Sequence, residues 1–397
     1  MKPKKVIIIA GEASGDLHGS RLVLAMRESD PTLEFWGIGG QAMQRAGVRL
    51  LMNAAQLSVV GITEAFSKLP QIIMGIYRIK HSLAAIQPDL LILIDFPDFN
   101  LYLAACAKKL AIPVLYYISP QIWAWRSGRI AKIKKRVDHM AVILPFEEDI
   151  YRRHHIPVTF VGHPLMDAGL PSLPAATAFS VDDPPVVSLL PGSRDREVAK
   201  HLPVMIQAAN LLGQRLNGLK FMVSCAPSAR RRMLEEIIDQ YKGPYPFELV
   251  GDDVSRVFLK SCLALAVSGT VTLQAAIYGT PCVIVYKVSP VSYWLGRRLI
   301  RVDHIGLVNL IAGRQLMPEL IQDAVSPESL SAKAYEMLTD RAGLEKIRAE
   351  LVSIRDRLGP PGASARVAEL ALTLMDRRGD GTATHKWLNP ANAKARP

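Results

Sequence analysis

Two acids, Asp95 and Asp98, lie within a DFPDFN segment (95–100) that directly follows the apolar run 90–94. A carboxylate at the carboxyl end of a buried strand can serve as a general base or orient a hydroxyl. The competing reading is that either one caps the following helix. A second candidate is LLPGSR (189–194). A glycine turn with an arginine suits a diphosphate, because backbone N–H groups receive it and the guanidinium binds it at two points. Glu197 lies three residues on, so a local ion pair with Arg194 competes with that role. The third is VSGTVTLQ (267–274), in which Ser268, Gly269 and Thr270 bring N–H and hydroxyl donors to a helix N-terminus suited to phosphate. Gln274, one turn in, can reach a ribose hydroxyl. Ser268 or Thr270 as a simple helix cap is the alternative.

Other segments carry weaker signals. The glycines of GEASGDLHG (11–19), Gly15 among them, let a ligand approach the backbone after the first strand. The segment has neither P-loop nor GxGxxG spacing, and a tight turn capped by Ser14 or Asp16 explains it equally well. In SPQIWAWR (119–126), Trp123 and Trp125 precede a basic stretch with Arg129, Lys132, Lys134, Lys135 and Arg136. They read either as a sugar- or lipid-facing pair or as core residues beside a solvated helix. Asn309, set among apolar residues, requires hydrogen-bond partners, of which a ligand is one candidate. Residues 59–77, with Ile72, Ile73 and Met74, are apolar on more than one face and precede Arg78, Lys80 and His81. That suits an anionic bilayer surface, and equally an ordinary core helix.

The elements that must position these residues follow from the apolar pattern. Short β-branched runs at 6–10, 33–38, 90–94, 114–118 and 140–144 alternate with helical patterns at 17–27 and 41–47, which predicts a doubly wound parallel sheet. The pattern breaks in the Pro-rich stretch 163–185 and restarts with runs at 186–190, 219–224, 263–267 and 282–286. The expected organisation is α/β, with two Rossmann-like lobes and a ligand cleft between them. Residues 1–165 form the first lobe, 166–185 a linker, and 186–340 a second, nucleotide-binding lobe. Residues 341–376 form helices that pack on the first lobe or are exchanged in a dimer, and 377–397 a mobile tail.

Within 397 residues, 49% are hydrophobic and 21% charged, enough apolar content for two cores and too much for a disordered chain. Lysine and arginine number 48 against 36 acids, a formal net charge of +12 that favours anionic partners without choosing among them. No RNA-binding signature accompanies the charge, so no nucleic-acid partner is expected. The four cysteines lie far apart in apolar settings, which reads as reduced core thiols in a cytosolic protein and neither a disulfide framework nor a zinc site. Neither a signal-peptide pattern nor an apolar stretch of spanning length is visible.

The ordered set GEASGD, PDFN, SPQIWAWR, PFE (145–147), VGHP (161–164), LLPGSR, SGTVTL and NLIAGR (309–314) resembles the bacterial lipid-A-disaccharide synthase family, from about residue 6 to 322. The resemblance implies an inverting glycosyltransferase of GT-B type (family 19) that works without a metal or other cofactor. It implies transfer of 2,3-diacylglucosamine from UDP-2,3-diacylglucosamine to 2,3-diacylglucosamine 1-phosphate, forming a β-1,6 disaccharide and UDP. It also implies a peripheral enzyme on the cytoplasmic face of the inner membrane, often a homodimer. Carried over by position, Asp98 is the base and Arg194 stabilises the departing diphosphate. Gly15, Gly192, Ser193, Ser268, Gly269, Thr270, Gln274 and Asn309 surround the donor, and Ile72, Ile73, Met74, Trp123 and Trp125 face acyl chains or membrane. Where the family usually has Glu after SGTxTL, this chain has Gln274, which implies weaker donor binding. The alternative is another GT-B enzyme of UDP-N-acetylglucosamine, a lipid-intermediate glycosyltransferase or a 2-epimerase.

Overall fold

A computed structural model describes residues 3–57, 69–123, 128–168, 184–226, 229–251, 254–288 and 302–379. The chain divides into two compact units, one of Met1–Ala168 with Gly359–Pro397 and the other of Gly169–Leu358. The helices expected together at 341–376 therefore part company at Gly359.

The first unit is built on strands β1 (Lys5–Ala10), β2 (Glu34–Gly39), β3 (Arg49–Asn53), β4 (Leu90–Ile94), β5 (Val114–Tyr117), β6 (His139–Val142) and β7 (Val158–Phe160). All pair in parallel, in the order β3-β2-β1-β4-β5-β6-β7. Helices α1 (Ala13–Ser29), α2 (Gln41–Arg45), α3 (Leu69–Ile86), α4 (Pro97–Lys109), α5 (Arg129–Arg136) and α6 (Pro145–Arg153) connect them. Alternation along each strand fills both faces. Ile7, Ile9, Leu91 and Leu93 enter one core, and Val6, Ile8, Leu90 and Ile92 enter the other.

The second unit carries β8 (Val186–Leu190), β9 (Lys220–Cys225), β10 (Phe247–Gly251), β11 (Leu263–Val267), β12 (Cys282–Tyr286) and β13 (Glu319–Ile321), in the order β10-β9-β8-β11-β12-β13. Its helices are α7 (Asp195–Arg215), α8 (Arg231–Tyr241), α9 (Val254–Lys260), α10 (Thr270–Ile277), α11 (Leu307–Ala312), α12 (Pro327–Thr339) and α13 (Arg341–Arg357). A final helix, α14 (Ala363–Gly379), belongs to the first unit. Its Val367, Ala368 and Ala371 join Leu22, Val23 and Met26 of α1 in the core. Asp167 fixes where α14 begins, accepting from the N–H groups of Gly362 (2.7 Å) and Ala363 (3.1 Å).

The glycine segment after β1 is shorter as a loop than the sequence suggests, since α1 starts at Ala13. Gly15 is buried, and a Cβ there would lie 3.2 Å from that of Ala10 and 3.6 Å from Ile94. Its small size lets the helix settle on the sheet. Asp16 caps a neighbour instead of its own helix, accepting from the backbone N–H groups of Gly40, Ala42 and Met43 at the start of α2. All four cysteines are free, and three of them are buried. Among the described residues no helix is long and apolar enough to cross a membrane.

Two largely buried histidines make the first unit acid-sensitive. Burial, then Arg21, pushes His18 down to about 4; burial, then His18, pushes His163 down to about 3; the Asp167 charge opposes both shifts. Both imidazoles are thus neutral in the fold at pH values where an unfolded chain protonates them. Stability is complete above about pH 6.5 and falls as the pH drops toward 3, by on the order of 2 kcal/mol per histidine at pH 5. Urea midpoints of the wild type at pH 7.5 and pH 5 should show this loss. His163→Gln should reduce the difference.

Candidate functional site

In doubly wound sheets ligands settle outside the strand carboxyl ends, where the winding direction reverses. In the first unit that point lies between β1 and β4, and the residues leaving these strands are Gly11-Glu12 and Asp95-Phe96. Asp95 and Phe96 both adopt left-handed backbone, with φ of 46° and 48°. Each such residue costs about 1–3 kcal/mol, so the surrounding structure must hold the turn. The Asp95 carbonyl accepts from Asn100 Nδ2 and from the Tyr116 hydroxyl, both at 2.6 Å. Asn100 Nδ2 also donates to the Ile94 carbonyl at 3.2 Å. The Phe96 ring lies over Gly11, where a Cβ would come within 2.5 Å of it.

The turn leaves Asp95 half-buried, with the Glu12 charge close enough to act on its carboxyl. Burial, then the Glu12 charge, raises it to about 6, against a lowering contribution from the Phe96 N–H. A carboxylate that basic is ionised at neutral pH and still takes a proton readily. Asp98 is differently placed. It sits in the first turn of α4 with its side chain 73% exposed, and its Oδ2 accepts from Nη2 of the buried Arg129 at 2.7 Å. Sequence reasoning weighed both acids and settled on Asp98. The left-handed turn that leaves Asp95 half-buried carries no signal in the sequence.

Farther along the same rim, Glu147 of the PFE motif is buried and raised to about 7 by desolvation. Its Oε1 accepts from Trp123 Nε1 at 3.2 Å and its Oε2 from the Leu144 N–H at 3.1 Å. Trp123 also packs edge-on against Phe146. It is half-buried and anchored to α6. Trp125 lies outside the described residues, as do residues 59–62. On α3 the apolar trio divides: Ile72 packs against the core, while Ile73 (58%) and Met74 (51%) are exposed together with Tyr77 (70%).

In the second unit the winding reverses between β8 and β11, which brings the PGSR and SGT turns side by side. Gly192 has φ of 111°, and a Cβ there would lie 2.6 Å from Glu197 Oε2. Glu197 supports the turn from beneath, its Oε2 accepting from the Ser193 N–H (3.2 Å) and its Oε1 from Arg194 Nη1 (3.0 Å). The local ion pair is therefore present. Arg194 nonetheless remains half exposed and can swing to an anion.

Gly269 precedes α10 with nothing within 4 Å of a Cβ, and Thr270 is exposed. Gln274 is half-buried and has no side-chain hydrogen bond among the described residues. Ser268 is partly occupied, since its hydroxyl donates to the Ile305 carbonyl at 3.0 Å.

Asn309 needs a correction. It is fully buried, and its amide donates to the Met317 carbonyl and to Glu319 Oε1, both at 2.7 Å. Its Oδ1 accepts from the N–H groups of Leu316 (2.9 Å) and Met317 (2.8 Å). All four hydrogen-bonding positions are filled internally, so nothing remains for a donor. Glu319 in turn receives the N–H groups of Ile305 and Gly306. Asn309 thus shapes the segment against which Ser268 rests.

A family model described as lipid-A-disaccharide synthetase matches residues 6–363. A lipid-A-disaccharide synthase of Syntrophus aciditrophicus is 46% identical over 381 residues, covering 95% of this chain and 99% of that protein. Among solved structures, the UDP-GlcNAc 2-epimerase of Neisseria meningitidis bound to UDP-GlcNAc superposes with a TM-score of 0.62 at 12% identity, covering 93% and 100% of the two chains. Acinetobacter baumannii MurG gives 0.61 at 14%, covering 94% and 100%. These two likenesses concern the fold alone.

Proposed function

Because the chain belongs to the lipid-A-disaccharide synthetase family, with two parallel-sheet lobes of GT-B type and a glycosyltransferase activity in lipid A biosynthesis, we propose the following reaction for it. It transfers 2,3-diacylglucosamine from UDP-2,3-diacylglucosamine to O6 of 2,3-diacylglucosamine 1-phosphate, with inversion. The observation that carries the reading is the Asp95 carboxylate, held beside Glu12 at the first sheet's reversal point and raised to about 6. Asp95 takes the place assigned to Asp98 from sequence.

In this reading Asp95 takes the proton of the acceptor hydroxyl as O6 bonds to the donor's anomeric carbon. The bond from that carbon to the diphosphate oxygen breaks, and its electron pair leaves with UDP. Arg194, released from Glu197, and the donors at Ser193, Gly269 and Thr270 oppose the charge growing on the diphosphate. The mechanism as proposed relies on these groups and calls for no metal. Gln274 offers its amide carbonyl to a ribose hydroxyl, without the charge assistance a glutamate would bring. Gly15 supports the first unit's β1 turn through its packing against Ala10 and Ile94.

The test is incubation of the protein with the UDP-diacyl sugar and the monosaccharide 1-phosphate, with mass spectrometry of the products. A β-1,6-linked tetraacyl disaccharide phosphate and stoichiometric UDP are expected. An epimerised UDP-sugar without disaccharide would favour the 2-epimerase alternative and overturn the proposal.

The substrates' acyl chains put the reaction at a bilayer, and we place the enzyme peripherally on the cytoplasmic face of the inner membrane. The exposed Ile73, Met74 and Tyr77, beside the exposed Arg78 and Lys80, support that placement. The double substitution Ile73→Ser/Met74→Ser should weaken binding to anionic liposomes by about tenfold with little change in melting temperature. Ile72→Ser should show the reverse pattern, because that side chain belongs to the core.

A further inference from the structure

His201, in the second turn of α7, is 3% exposed and makes two hydrogen bonds. Its Nε2 lies 3.1 Å from the backbone nitrogen of Lys287, and its Nδ1 lies 2.9 Å from the Glu197 carbonyl oxygen. The partners fix the tautomer. A backbone N–H can only donate and a carbonyl can only accept, so the proton sits on Nδ1 and Nε2 is the acceptor.

Lys287 is the first residue beyond β12. The next residue, Val288, is held by a second side chain, its N–H donating to Gln322 Oε1 at 2.7 Å. The backbone leaving β12 is thus fastened by His201 on one side and Gln322 on the other. Glu197, whose carbonyl receives the imidazole proton, is the same residue whose carboxylate supports the Gly192 turn.

Cations gather around this fastening. Lys200 precedes His201 on α7, and burial together with the Lys287 charge holds its ammonium below the ordinary lysine range. Among the described residues neither Lys200 nor Lys287 is paired with a carboxylate. Tyr286 senses both Glu197 and Arg194, which puts the end of β12 near the Arg194 turn. Two ammonium groups whose charges act on one another, one on the helix after the Arg194 turn and one just beyond β12, form an arrangement that an anion stabilises.

We propose that His201 is a positioning residue of the diphosphate site: it ties the backbone of Lys287 to the helix that follows the Pro191–Arg194 turn and so holds Lys287 and Lys200 as further phosphoryl contacts. The inference rests on the reading that this rim binds the donor's diphosphate. The groups facing the imidazole are Glu197 and Lys200 on its own helix and Lys287 on the segment leaving β12. Burial comes first among the causes that keep it below the ordinary histidine range; the Glu197 carbonyl and carboxylate oppose the shift, and the two lysines add to it. The fastening requires the neutral imidazole, and burial favours that form.

UDP and uridine binding to the full chain, followed by calorimetry across a salt series, test this. His201→Leu fills the space but cannot accept from Lys287, and should raise the UDP dissociation constant by about tenfold, flatten its salt dependence and leave uridine binding unchanged. His201→Gln, whose Oε1 can take the place of Nε2, should restore most of the affinity. Should His201→Leu fail to fold, the Lys200→Met/Lys287→Met double variant decides, with the same loss expected. Unchanged UDP affinity in a folded His201→Leu protein, or in the double variant, overturns the inference alone. Absence of UDP binding by the wild type overturns the diphosphate reading together with it.

Discussion

Asp95→Asn is expected to lower kcat by about 10³-fold while changing the KM for donor by no more than about twofold. Asparagine matches the volume of the carboxylate and leaves the clamps on the turn intact, since Asn100 and Tyr116 bind the backbone carbonyl of residue 95 and not its side chain. What disappears is the group that accepts the hydroxyl proton. The same assignment makes a pH prediction. With Asp95 raised to about 6, kcat should fall on the acid side through that value, because the protonated carboxyl already holds the proton it would have to accept and is too weak a base to take another. Glu12→Gln removes the neighbouring charge, the second of the two causes that raise Asp95, and should move this limb to lower pH. Asp98→Asn should act more mildly, since it releases the buried Arg129 from its partner without removing the base. Steady-state rates of the three variants from pH 5 to 8.5 provide the check. An inactive Asp98→Asn beside an active Asp95→Asn would return the role to Asp98.

Arg194→Ala is the second large effect, a loss of about 10²–10³-fold in kcat with a smaller loss of UDP affinity. The asymmetry follows from where the charge is needed. In the proposed mechanism the ground-state diphosphate ester already shares its charge with the backbone donors of the two turns. As the sugar departs, a further negative charge develops, and the guanidinium is the mobile cation at hand. It pairs with Glu197 at 3.0 Å, an exposed pair worth little by itself and easily exchanged for phosphate. Arg194→Lys should recover only part of the rate, because an ammonium is a point charge without the planar fork that matches two phosphoryl oxygens. Pre-steady-state measurement of UDP release against UDP binding separates the two effects. A rise in KM with kcat unchanged would mean that Arg194 serves binding only.

The comparison between Asp95 and Asp98 shows where sequence reading stops. Both acids follow an apolar run, and both are spaced to cap a helix. What distinguishes them is the consecutive left-handed pair at residues 95 and 96, and that depends on distant partners: Gly11 clearing room for the Phe96 ring, and Tyr116 and Asn100 holding the carbonyl. Asn309 is a parallel case. Its apolar surroundings announce burial, but the residues that satisfy it lie seven to ten positions away in a turn with no periodic signature.

The sequence by itself determined the two α/β units, their central strands and the two turns suited to phosphate. A strand covered on both faces must be apolar throughout, and a glycine turn at its end is a local property of the chain. The four strands that its pattern left unmarked, β3, β7, β10 and β13, are the outer strands of the two sheets, and each is only partly buried. An edge strand is defined by its neighbour's hydrogen bonds more than by its own residues. Tertiary structure alone decided which carboxylate is half-buried, which histidine fastens the second unit's rim, and that the last helix belongs to the first unit. Each of these depends on groups brought together from far along the chain, whose desolvation and charge act through space and leave no mark in local order.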